Sequence, residues 1–179
     1  MSGYNNECIA GNLDKTVTNV VELLERKGWT ISTAESCTGG LLSQLITSVS
    51  GASNVFELGV CTYSERTKNK LLGVPQSDID MYGVVSEAVA LDMVRGLKKI
   101  SGADICVSVT GIAGPSGGTP ENPVGTVWIG FDLNGRQFAK LPEFWKLRDK
   151  SRSNIRMAAA AYAFEMIEKF LTEAIPEDD

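Results

Sequence analysis

The chain has 179 residues, 43% of them hydrophobic, enough to bury one sizeable core and short for two. Its net charge of −5 speaks against an electrostatic grip on nucleic acid, which needs a basic face, but leaves room for a small anion held by a few local arginines. No segment reaches the roughly 18 uninterrupted apolar residues of a membrane span, and the absence of histidine leaves imidazole out of any chemistry.

The expectation is therefore one soluble, cytoplasmic domain over residues 1–179, with its core at about 13–173, a short N-terminal tail and an acidic C-terminal tail, and with neither nucleic acid nor membrane as partner. In chain order, "LDKTVTNVVELLERKG" carries Val17, Val20, Val21 and Leu24 at helical spacing, with Gly28 as its stop. "WTISTA" is short and β-branched, a strand, and "GGLLSQLITSV" reads as the next helix. "NVFELGVCTYS" is a second strand. "ERTKNKLLG" is a short helix closed by Gly73, and "SEAVALDMVRGLKKISG" a longer one with Ser86 as N-cap. "ADICVSVT" is a buried strand. After the glycine-rich "GIAGPSGGTPENP", "VGTVWIGFDL" and "RQFAKLPEFW" flank Asn134-Gly135, a hairpin signal. The last helix runs through "SNIRMAAAAYAFEMIEKFL". Strands mixed with helices, plus one late hairpin, predict a three-layer α/β/α sandwich with a mixed, mostly parallel central sheet.

Ligands of such sheets sit beyond the carboxyl ends of the parallel strands. That rule selects three loops: Glu35 to Gly40, Tyr63 to Lys68, and Thr110 to Thr119. Ser36 reads either as an N-cap or as a nucleophile. In the second case its base must come from elsewhere, because there is no histidine, no G-x-S-x-G and no S-x-x-K. Lys68 can serve if burial disfavours its charge, or it is an ordinary solvated helix lysine. Tyr63, at the end of the second strand, faces the same cleft or is a half-buried tyrosine. Cys37 is a second candidate nucleophile at a helix N-terminus, ranked below Ser36. Glu35 is an acid or base, or a residue that forms a salt bridge or receives helix N–H groups. The third loop brings backbone amides close to an anion or oxyanion without being a Walker A loop or a dinucleotide fingerprint. Arg152 and Arg156, one turn apart, form a fork for a phosphate or are surface arginines. Cys8, Cys37, Cys61 and Cys106 are too widely spaced to suggest a zinc site or a disulfide framework.

"TAESCTGG", "YSERTKNKLLGV", "VVSEAVA", "TGIAGPSGGTPENPVGT" and "RSNIR" follow one another in the order of the motifs of the CinA C-terminal domain family, which this chain resembles from about Leu13 to the last helix. The family is similar to nicotinamide-mononucleotide amidohydrolases, and longer relatives carry the module behind a second domain. The resemblance implies a stand-alone module with Ser36 as nucleophile and Lys68 as base, relayed through Tyr63. Backbone amides near Cys37 or Gly111 would hold the oxyanion. It further implies a substrate-binding set of Glu35, Cys37, Thr38 and Gly39 in the first loop and Thr110, Gly111, Ala113 and Gly114 in the third, with Arg152 and Arg156 on the phosphate. No metal or cofactor is implied, and a homodimer is. Glu65 stands where the family usually has asparagine, and Asn122 where a lysine is common. These departures motivate an alternative: a catalytically weak or silent module that binds a nucleotide-like ligand, or an amidase for another amide.

Overall fold

The computed structural model describes residues 6–174. A five-stranded sheet has the order β2-β1-β3-β4-β5, with β1 at Ile31–Glu35, β2 at Phe56–Cys61, β3 at Ile105–Gly111, β4 at Val127–Leu133 and β5 at Arg136–Lys140. β2, β1 and β3 run parallel, and β4 and β5 are antiparallel to their neighbours. The parallel strands place their carboxyl ends side by side, and the three expected loops meet there.

Helices cover both faces. α1 (Asn6–Lys27), α2 (Leu41–Thr47) and α6 (Arg152–Glu173) pack on one, burying Val17, Val20, Leu24 and Phe164 against Ile105, Val107 and Val109. α3 (Glu65–Leu72), α4 (Gln76–Tyr82) and α5 (Glu87–Ser101) pack on the other, where Leu72, Val89, Met93 and Leu97 meet Ala34 and Cys106. The period of two along β3 sorts its side chains: odd residues face the α1/α6 layer, while Ser108 and Thr110 face α5 and donate to Ala90 O and Val84 O. The α3 and α5 layers touch closely. A Cβ on Gly96 would collide with Leu72 O.

Several local expectations hold for the reasons given. Gly28 and Gly73 end their helices in the left-handed region at φ 64° and 67°. Ser86 Oγ accepts from Val89 N as an N-cap. Asn134 (φ 51°) and Gly135 (φ 91°) make the hairpin turn between β4 and β5. α4 has no counterpart in the sequence reading. Its N-cap is Pro75, without a side-chain cap bond, and Ile79 is its buried residue, so neither a cap nor an apolar stripe announces it. β3 also extends to Gly111, so Thr110 and Gly111 belong to the strand end and not to the loop. No helix among the described residues is long and apolar enough to cross a membrane. The tail after residue 174 and the side chain of Cys8 lie outside what is described.

Candidate active site

β1 ends at Glu35, and the side chains of Glu35 and of the Ser36 that follows it leave on opposite faces of the sheet. Glu35 points toward α2. Its fully buried carboxylate accepts from the backbone N–H groups of Gly40 (3.0 Å), Leu42 (3.1 Å) and Ser43 (2.9 Å), and from Ser43 Oγ (3.0 Å). The N-cap of α2 is Gly40, which offers no side chain, so Glu35 supplies what the cap lacks. The expected place of Glu35 among the substrate contacts is corrected accordingly: all its acceptor positions face the helix it anchors.

Ser36 points the other way, toward α3. Its own N–H still donates to Val109 O (3.0 Å), so the residue is held in the ladder although β1 has ended, and its carbonyl accepts from Gly39 N (3.0 Å) to close a turn. Ser36 does not cap α2. What its hydroxyl meets is Lys68, whose Nζ lies 3.0 Å from Ser36 Oγ and donates to Thr62 O at 2.6 Å. Lys68 sits in the middle of α3, a helix opened by a capping box between Ser64 and Thr67, and its side chain is 0% exposed. Burial lowers its ammonium from the usual 10.5 to about 8. Sequence reasoning missed the part played by Thr62, because a backbone carbonyl leaves no mark in composition or spacing.

The neighbouring thiol is different. Burial pushes Cys37 up to about 11, which holds the thiol that lines the cleft in its neutral form.

Tyr63 stands at the rim, 62% exposed rather than half-buried. Its hydroxyl accepts from Arg152 Nη2 (2.8 Å), and no hydrogen bond ties it to Ser36 or Lys68. The expected proton relay through Tyr63 is therefore not assembled. The side chain leaves the strand end on the outside, and Arg152 engages it there. Arg152 also donates through Nη1 to Gly114 O (2.9 Å), linking the second loop to the third. The expected arginine fork is corrected as well: Arg156 donates both Nε (3.1 Å) and Nη2 (2.6 Å) to Thr38 O. It clamps the Ser36 turn from behind, beside Gly39, and leaves Arg152 as the arginine of the cleft.

The cleft encloses about 450 Å³. Ser36, Cys37 and Lys68 line it together with Tyr63, Ser64 and Glu65 at the start of α3, Thr110 and Gly111 at the end of β3, Ile112 to Gly114 with Ser116 and Gly117 of the third loop, and Arg152. Val84 and Val85, just before α5, complete the wall. Their only mark in the sequence is the "VVSEAVA" motif. Glu35, Thr38, Gly39 and Arg156 stand behind it. Strand parity adds one donor. Odd residues of β3 bond toward β1, as Ile105 N to Thr30 O and Ser36 N to Val109 O show, whereas Ile112 N bonds across to Thr126 O. The Gly111 N–H therefore points past the end of β1 toward Ser36. A Cβ at Gly111 would lie 2.7 Å from Thr126 O and Val127.

A buried amine of lowered proton affinity, in contact with a serine hydroxyl at the wall of a cleft, can generate an alkoxide without histidine. Among the described residues no group of three or more acidic, histidine or cysteine side chains could hold a metal ion.

The CinA C-terminal domain family model matches residues 13–171. The chain is 45% identical over 143 residues to the nicotinamide-nucleotide amidohydrolase PncC of Enterobacter agglomerans, an alignment covering 79% of this chain and 85% of that protein. It is 46% identical over 152 residues to a CinA-like protein of Kosmotoga olearia, covering 85% of this chain and 36% of that one. The chain thus spans little more than a third of the length of such longer relatives. Among solved structures, a competence/damage-inducible protein of Agrobacterium tumefaciens superimposes with a TM-score of 0.84 at 34% identity, over 95% of this chain and 99% of that one.

Proposed function

The chain belongs to the CinA C-terminal domain family, and from that premise we propose that it is an amidohydrolase converting the carboxamide of nicotinamide mononucleotide to a carboxylate with release of ammonia. The observation that carries the reading is the contact of buried Lys68 Nζ with Ser36 Oγ at 3.0 Å. The relative of Enterobacter agglomerans named for this activity supports the choice of substrate.

In this reading neutral Lys68 keeps one N–H on Thr62 O and presents its lone pair to the Ser36 hydroxyl. It takes that proton as Ser36 Oγ bonds to the carboxamide carbon. The oxyanion forms on the side of the Gly111 N–H, a type of contact worth about 3 kcal/mol per donor in related chemistry. Lys68 then returns the proton to the departing nitrogen, the C–N bond breaks and ammonia leaves an acyl-serine. Water, deprotonated by the same amine, cleaves the ester and gives back Ser36 and a carboxylate. Tyr63 and Arg152 lie away from this proton path, and Arg152 with the third loop holds the ribose phosphate. The family resemblance extends the reading to a homodimer in the cytoplasm serving pyridine-nucleotide recycling.

The test is the formation of ammonia and nicotinate mononucleotide from nicotinamide mononucleotide by the wild type and by folded Ser36→Ala. Product from the wild type alone supports the reading. No product from either, with the nucleotide still stabilising the fold, would replace it by a binding module or an amidase for a different amide.

A further inference from the structure

Three charged side chains line the cleft: Glu65, Lys68 and Arg152. If Lys68 works as a neutral base, the fixed charges left facing a ligand are one carboxylate and one guanidinium. Glu65 and Lys68 are three residues apart on α3, and so neighbours on one face of the helix. Lys68 reaches Ser36 Oγ, so Glu65 stands close to the point of amide attack. Arg152 lines the same cleft and donates to Tyr63 OH and Gly114 O at its rim. The Glu65 carboxylate makes no ion pair or side-chain hydrogen bond among the described residues, and its charge acts on Lys68 beside it.

We propose that Glu65 is a specificity-determining residue that selects amides borne on a positively charged ring, with the ring cation beside Glu65 and the anionic end of the same molecule at Arg152. The inference rests on the amidase reading and adds to it the charge state of the ring. A pyridinium carrying a carboxamide and, through its ribose, a phosphate has its charges in that order. The dihydropyridine form of the same nucleotide has the same amide and phosphate and no ring charge. It therefore isolates the interaction.

Glu65 also opposes the effect of burial on Lys68. That influence acts on the base and touches both nucleotides alike, as does any stabilisation of the α3 N-terminus by its charge. The comparison of the two substrates removes both.

The experiment measures kcat/KM for oxidised and reduced nicotinamide mononucleotide with the wild type, Glu65→Gln and Glu65→Asp. The expected result is a roughly fivefold fall in the oxidised-to-reduced ratio for Glu65→Gln, in the range of one solvent-screened charge pair. The ratio is retained in Glu65→Asp, and the effect shrinks as ionic strength rises. An equal change for both nucleotides, or no change, overturns the proposal and leaves the amidase reading standing. If the wild type hydrolyses neither nucleotide, the amidase reading falls. Calorimetric titration of Ser36→Ala, with and without Glu65→Gln, then decides the matter. Selective loss of oxidised-nucleotide affinity supports a ring-charge reader, and equal or absent binding overturns it.

Discussion

Lys68 Nζ donates at once to Ser36 Oγ at 3.0 Å and to Thr62 O at 2.6 Å, from a side chain with no exposure to solvent. A lysine so placed has given up most of its hydration for two neutral acceptors, an arrangement that weakens its hold on a proton. Replacing it by methionine preserves the buried stem and removes the amine. We expect Lys68→Met to fold, and to lose ammonia release by about 10³-fold or more, the scale of a positioned acid–base group. Lys68→Arg should fail equally, because a guanidinium stays protonated. Turnover within tenfold of the wild type in Lys68→Met, with an unchanged circular dichroism spectrum, would exclude the amine as the base.

The same burial sets a pH dependence in two measurements. In the proposed mechanism Lys68 acts as a neutral base, so kcat/KM should rise with pH through about 8 and level above it. In stability, the folded state binds this proton less readily than the unfolded chain. The cost of burying the charged form is therefore fully present below pH 8 and relieved as pH climbs from about 8 to 10.5. That interval corresponds to on the order of 3 kcal/mol. Cys37 and Cys106, both raised to about 11, act with the opposite sign above pH 9. The wild type must therefore be read against Lys68→Met, which keeps both thiols. In denaturant melts the wild type should gain on the variant between pH 8 and 10.5. A constant difference across that range would contradict a lowered affinity for the proton.

The strands, the hairpin and the convergence of three loops were legible because they are local: β-branched runs, Asn134-Gly135, glycines at helix ends. Ser36 and Lys68 stood out as a candidate pair in a chain without histidine, with an N-cap and a solvated lysine as the competing readings, and the structure brings the two side chains into contact. What was not legible depended on where side chains point after the chain folds. Glu35 and Ser36 are adjacent, and the pleat sends one behind the cleft and the other into it. Arg152 and Arg156 are one turn apart, yet Arg156 donates to Thr38 O while Arg152 faces Tyr63 and Gly114. Spacing placed both arginines near the site and could not divide their partners. α4 escaped notice because Pro75 hides its start and Ile79 alone marks its buried face.

Glu35 carries the next prediction. Four donors converge on a carboxylate that no solvent reaches. Glu35→Gln keeps the shape but replaces one oxygen by an amino group facing N–H donors, which leaves buried groups unsatisfied. The expected loss is about 2–3 kcal/mol in urea unfolding. Because the same turn carries Ser36, kcat should fall with little change in KM. A loss under about 0.5 kcal/mol would mean that the α2 N-terminus is satisfied without the charge.

The two arginines should separate binding from positioning. Arg152 lines the cleft, with its partners Tyr63 OH and Gly114 O both at the rim, so its guanidinium can also meet an anion there. Arg152→Gln should raise KM for the phosphorylated nucleotide about tenfold or more, while KM for the riboside lacking the phosphate should change little. Arg156 spends two donors on Thr38 O behind the Ser36 turn and is not part of the cleft lining. Arg156→Met should therefore lower kcat for both molecules by the same factor, leaving their ratio intact. Steady-state kinetics of the four combinations decide between these roles. If Arg156→Met discriminated against the phosphate as strongly as Arg152→Gln, the two side chains would have to act as one anion fork, with Thr38 released on binding.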